Sequence, residues 1–341
     1  MKVVAVLLTI FPLILCQNFD KANVGVTFGP YTKTIQKENG LIPAFNSYSR
    51  EELTRMLAVV STKFKHITTN DVGIASFNIT IPVSYADSTA LIPQAAAFLN
   101  RERNANVIDV AIGVFQNENE NIQNSEVNLA IDVAQDANGR FPNTVWGLIF
   151  TNDYVKDGRT AEKVLDLISN NKDRARLYNL KVGTRVSTCD QILDIESELY
   201  EILSEIAQEI DFIMCNVYPN SSVVQDGSQQ AVDAVGNFIL SVKNVFRNIN
   251  EKIDVMIGET GWPSEGLSLN GSPNSIKNFQ AYWTGMNEWA KRNSIRTYMF
   301  EAFDEPYRSV TTSDAHYGWW YRQSNDDEVY VEKTTNVHVR G

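Results

Sequence analysis

Short apolar, β-branched runs alternate along almost the whole chain with longer stretches of helical spacing. The runs fall at 23–29, 64–70, 106–115, 144–152, 181–188, 211–219, 253–259 and 295–303. They are apolar enough to be buried on both faces, the pattern of parallel strands rather than of a half-solvated antiparallel sheet. Between them apolar residues recur every three or four positions, at 49–64, 126–137, 160–171, 197–210, 228–246 and 275–293, which predicts amphipathic helices. Strand followed by helix, repeated about eight times, describes a parallel α/β fold. No Pro/Gly/Ser-rich linker or change of composition divides the chain, so the expectation is a single (β/α)8 TIM barrel over 17–341. The competing open, doubly wound sheet needs a glycine-rich phosphate loop after its first strand. The segment GVTFGPYTKT has two glycines but neither that spacing nor a following helix.

The first residues, MKVVAVLLTIFPLILCQ, carry one lysine, then an apolar run, then polar residues. That run is short for a membrane span and has the layout of a secretory signal peptide, so 1–16 is expected to be removed and the protein secreted. Cys16 leaves with it, and Cys189 and Cys215 remain. They can pair in an oxidising compartment or stay as buried thiols; without geometry the thiols are favoured. Asn78-Ile79-Thr80, Asn220-Ser221-Ser222 and Asn270-Gly271-Ser272 are N-glycosylation triplets, which suits a secretory route. The polar end KTTNVHVRG argues against a lipid-anchor tail. With 43% hydrophobic residues the chain can bury a large core, and its formal net charge of −11 argues against nucleic acid and anionic membranes as partners. A monomer is the default expectation.

In a barrel of this kind the active site collects at the C-terminal ends of the strands. The fourth run ends in Asn152-Asp153 and the sixth in Asn216-Val217-Tyr218-Pro219. The seventh ends in Glu259 and continues into TGWPSEG, and the eighth carries Glu301, Phe303, Asp304 and Glu305. His66, His316 and His338 do not join these into a metal set, and no nucleophile elbow suggests a Ser-His-Asp arrangement, so neither a metal nor a cofactor is expected. What converges is a group of carboxylates edged by Tyr218, Trp262, Phe303, Trp319 and Trp320. A lone strand-end carboxylate more often caps the next helix. Two on separate strands, beside asparagine and aromatic faces, are the parts for glycoside hydrolysis, with one acid protonated and one ionised.

The segment VMIGETGWPSEG (255–266) resembles the signature of glycoside hydrolase family 17, the β-1,3-glucanases of plants and fungi. DFIMCNVYP and YMFEAFDEPYRSV…DAHYGWW are similar to that family's sixth- and eighth-strand segments, closest to its fungal-type branch, and NVGVTFGPY is similar to its first strand. The resemblance implies a secreted retaining enzyme acting on β-1,3-glucan, with Glu259 as nucleophile and Tyr218 near it. It also implies substrate contacts from Phe28, Asn152, Asn216, Trp262, Glu301, Phe303, Asp304 and Glu305. The family's acid/base is the glutamate of a Gly-Asn-Glu, where this chain has Thr151-Asn152-Asp153. Asp153 is one methylene short. A misplacement of ~1 Å costs on the order of a hundredfold in rate, unless the backbone at strand four has shifted to restore the reach. A transglycosylase sharing the same intermediate, and a glucan-binding protein weakened in turnover, remain the alternatives.

Overall fold

The computed structural model describes residues 18–37, 40–43, 47–74, 89–219, 229–266, 274–308 and 312–334. The expected signal segment and all three glycosylation triplets lie outside these residues. Eight parallel strands close into one barrel: β1 (Val24–Thr27), β2 (His66–Thr68), β3 (Asp109–Val114), β4 (Val145–Asn152), β5 (Lys181–Val186), β6 (Phe212–Asn216), β7 (Asp254–Thr260) and β8 (Thr297–Met299). Each pairs with its sequence neighbour, and β8 returns to β1 through Val24↔Thr297. The expected TIM barrel is the fold, and every strand falls within one residue of, or inside, a run read from the sequence. The eighth run is the least faithful: only Thr297–Met299 of 295–303 are strand.

Outside the barrel lie α1 (Arg50–Ser61), α2 (Ile92–Arg103), α3 (Glu120–Arg140), α4 (Gly158–Leu177), α5 (Tyr200–Glu209), α6 (Gln229–Ile249) and α7 (Ile276–Asn293). Short polar side chains cap the starts of α1, α3, α4 and α7. Ser49 accepts from the Glu52 amide, Asp157 and Thr160 form a reciprocal capping box, and Ser275 accepts from the Asn278 amide. The helix α2 is absent from the sequence reading. Three of its buried residues are alanines, Ala95, Ala96 and Ala97, beside Ile92, Pro93, Leu99 and Asn100, and alanines give little hydrophobic contrast to a periodicity argument. Two hairpins also escaped it: 34–37 with 40–43, and 320–322 with 330–332.

Side chains alternate across each strand, so two cores result. Val110 and Ile112, with Ile213 and Cys215, pack outward under the helices. Ala111, Phe212 and Met214 point the other way and fill the lumen with Ile149, Met256 and Tyr298. The two cysteines are not thiols. Cys189, just past β5, is bonded to Cys215 of β6 across a Cα–Cα distance of 5.8 Å, within the span a disulfide needs. Parallel neighbours β5 and β6 bring them together, and no spacing rule in the sequence reports that.

Candidate active site

The end of β4 is irregular. Its pairing with β5 shifts register between Phe150 and Asn152, and Thr151 and Asp153 both take left-handed backbone conformations, φ 67° and 52°. The Asp153 amide is held by the Arg185 carbonyl at 3.0 Å. Aspartate enters this region more readily than longer or β-branched residues. The strand-four end is therefore locally irregular, and the left-handed backbone at 153 is one that aspartate enters more readily than glutamate.

Asn216 stands between the two carboxylates. It is the Cα partner of Glu259 across the β6–β7 ladder, at another register shift. Its Nδ2 donates to Asp153 Oδ2 at 3.0 Å and reaches Asn152 Oδ1 at 3.4 Å. Room for this amide comes from Gly258, where a Cβ would lie 2.7 Å from Asn216 Oδ1. Glu259 itself is 7% exposed. One oxygen accepts from the Tyr218 hydroxyl at 3.1 Å and the other from Arg185 Nη1 at 3.0 Å. Burial pushes the Glu259 carboxyl up, the Arg185 guanidinium opposes this, and the charge of Asp153 adds to the rise. Burial, and then Glu259, push the Tyr218 phenol far up, so it stays a donor.

Arg185 was not singled out from the sequence. It is fully buried, it also donates to Asn70 Oδ1 at 2.8 Å, and its Nε and Nη2 have no partner among the described residues. Its signal was an arginine in the middle of the apolar run KVGTRV, where a charge must have a reason. Beside it, Tyr218, Glu259, Phe300, Arg308, Asp314 and Tyr317 line a cavity of about 290 Å³.

The β8 residues behave differently from expectation. Glu301 and Glu305 are each 2% exposed. Glu305 accepts from Arg308 Nε at 2.5 Å and from the Tyr307 hydroxyl at 3.2 Å. Glu301 leaves one oxygen unpartnered, and burial, reinforced by Glu305, holds its carboxyl well above the usual range. Asp304 is turned away into an ion pair with Lys333 at 2.6 Å and accepts the Gly318 amide. The aromatics need a correction. Trp262 packs on Tyr282, and Phe303 sits among Phe28, Trp320 and Tyr330; all are buried in the outer core. They pack instead of facing the cavity, whose rings are Tyr218, Phe300 and Tyr317. Trp319 is likewise core, against Phe19, Phe279 and Trp283.

Among the described residues no group of three His, Cys, Asp or Glu is placed to hold a metal, and no helix is long and apolar enough to cross a membrane. The barrel and its strand-end carboxylates define a glycoside hydrolase-like domain. Residues 84–320 match the BtgE/BtgC glycoside hydrolase domain, and the chain belongs to that family. Similar curated proteins include a glucan 1,3-β-glucosidase of Saccharomyces cerevisiae, 28% identical over 137 residues, which are 37% of this chain and 41% of that protein. A glucan endo-1,3-β-glucosidase of Vitis vinifera is 27% identical over 154 residues, 37% and 43% of the respective chains. The matches thus span about two-fifths of these relatives. An endo-laminarinase from Formosa superposes with a TM-score of 0.67 at 16% identity, covering 89% of this chain and 84% of its own. A glycoside hydrolase family 17 β-1,3-glucanosyltransferase from Rhizomucor miehei gives 0.61 at 19%, covering 89% and 94%. These two likenesses are of fold.

Proposed function

We propose that this chain is a secreted, retaining glycoside hydrolase of the family 17 type that cleaves β-1,3-glucan, with Glu259 as nucleophile and Asp153 as acid/base. The observation that carries the reading is the placement of Asn216: its amide donates to Asp153 at 3.0 Å, and its Cα is paired with that of Glu259 in the ladder. The reading takes Asp153 and Glu259 as the close pair of a retaining mechanism, about 5–5.5 Å apart, in place of the wider pair of an inverting one. Sequence likeness to glucan 1,3-β-glucosidases supports the substrate class. The Cys189–Cys215 bond and the signal-like segment 1–16 support secretion.

In this mechanism Arg185 and Tyr218 keep Glu259 ionised and aimed. Its free electron pair attacks the anomeric carbon while protonated Asp153 gives its proton to the departing glycosidic oxygen. The product is a glycosyl ester on Glu259 and a leaving sugar with a free hydroxyl. Asp153, now a base, takes a proton from water, whose oxygen displaces Glu259 and releases the second product. Asn152 and Asn216 are assigned to the sugar hydroxyls beside the reacting centre. The deciding experiment incubates the protein with laminarin and follows reducing ends and product lengths. New reducing ends with only shorter products support hydrolysis. Products longer than the substrate report transfer to a sugar hydroxyl, and binding with no new ends or lengths overturns the enzyme in favour of a glucan-binding protein.

A further inference from the structure

A second cavity, about 440 Å³, opens beside β4 on the flank away from Glu259, between the start of α3 and the middle of α4. Its volume lies within the range of small-molecule sites, about 300–1,000 Å³. It adjoins the proposed acid/base without containing it. Thr151 and Tyr154, on either side of Asn152-Asp153, line it, and so does Gln116, whose Oε1 accepts the Asn152 amide at 3.2 Å.

The lining has a definite chemistry. Asn124, Asp166 and Asn170 stand exposed along it, and their side chains make no hydrogen bond to other described residues. Primary amides donate and accept at once, as a sugar hydroxyl does. Tyr154 and Leu167 supply a small apolar surface against which the C–H face of a pyranose can lie. The lone lysine of the lining, Lys163, is taken up by Glu118, which also accepts from the Tyr154 hydroxyl. With that cation neutralised, Glu120 and Asp166 leave the cavity acidic, which repels phosphates and other anions.

We infer that this cavity is a saccharide-binding site outside the reaction centre, taking a neutral glucosyl unit of the glucan whose main chain lies at Asp153 and Glu259. The inference rests on the glucan-acting reading. Through Gln116 an occupant bears on the backbone of Asn152, so the site couples to the position of the acid/base without touching the reacting atoms.

The test uses Glu259→Gln, which cannot turn over, titrated with laminaritetraose while backbone amide resonances are followed by NMR. The expected result is saturable shifts at 116–124 and 163–171, together with shifts around Tyr218 and Tyr317. In the otherwise wild-type protein, Asn124→Ala with Asn170→Ala should raise KM for laminarin about fivefold, the loss of one or two hydrogen bonds. The kcat on laminarin should not change. Shifts around Tyr218 without any at 116–124 and 163–171 would overturn the site and leave the glucanase reading standing. Shifts at the lateral site in a protein that never cleaves laminarin would do the reverse. No shift in either region would sink both, and an unchanged KM in the double variant would also remove the lateral site.

Discussion

Two groups of carboxylates crown this barrel, and they are held in different ways. On one side Asp153 accepts from a neutral amide, Asn216, while Glu259 accepts from one hydroxyl, Tyr218, and one guanidinium, Arg185. On the other side Asp304 is bonded to Lys333, and Glu305 to Arg308. Buried ion pairs of the second kind fix a loop and offer little chemistry, because each charge is already answered. The first kind leaves charge to spare: Asp153 Oδ1 has no partner among the described residues. Residue type alone does not separate the groups. What separates them is that Asp153 has an amide where Asp304 and Glu305 each have a cation.

The largest break in this comparison should come from Glu259→Gln. Turnover of laminarin should fall on the order of 10⁴-fold or more, as when a covalent nucleophile is removed. Folding should survive, since the glutamine oxygen can still accept from Arg185, and the variant's thermal midpoint should gain on that of the wild type as pH rises. The sign follows from the raised carboxyl: folded Glu259 holds its proton more tightly than the unfolded chain does, so its contribution is lost as pH rises. Glutamine cannot ionise, so the variant's advantage should widen toward alkaline pH. Midpoints measured across pH 5 to 9 check it.

Asp153→Asn should cost about 10²–10⁴-fold on laminarin, the scale of general acid catalysis. Aryl glucosides with good leaving groups should lose much less, and a rate equal to wild type on laminarin would remove Asp153 from the role. The opposite signature is expected from Asp304→Asn. That change strands the Lys333 ammonium, which is 5% exposed, and should destabilise by about 3–5 kcal/mol, while the folded fraction keeps its kcat. Urea melts beside active-site-titrated rates separate the two kinds of acid.

Smaller effects sharpen the first group. Arg185 holds the Glu259 carboxyl down against its burial. Arg185→Met should therefore move the acid limb of the kcat/KM profile to higher pH, whereas a merely structural role would lower the rate at every pH alike. Asp153→Glu should have the smallest consequence. Its longer arm reaches further, but the left-handed backbone at 153 disfavours glutamate, and stability should fall by about 1 kcal/mol. A rate on laminarin above that of the wild type would show that reach, and not backbone geometry, limits the aspartate.

Much of the site was legible because barrel chemistry sits where apolar runs stop. Asp153, Asn216 and Glu259 were found that way, and the structure brings them together. Trp262, Phe303 and Phe28 were misjudged for the same reason. A residue at a strand end can turn into the cleft or back under a helix, and these three turn back into the outer core. Arg185 was passed over because a charge inside an apolar run reads as an interruption until its partner, 74 residues away, is in view.

By itself the sequence determined the eight barrel strands, their order and the six helices whose apolar stripes contrast with their polar faces. These depend on local periodicity, which each segment carries independently of the others. Tertiary structure alone decided the Cys189–Cys215 bond, the pairing of each acid with a cation or an amide, and the register shift beside Asp153. Those depend on neighbours in adjacent strands and loops. The distance between such neighbours is set by closure of the barrel, and no stretch of chain encodes it alone.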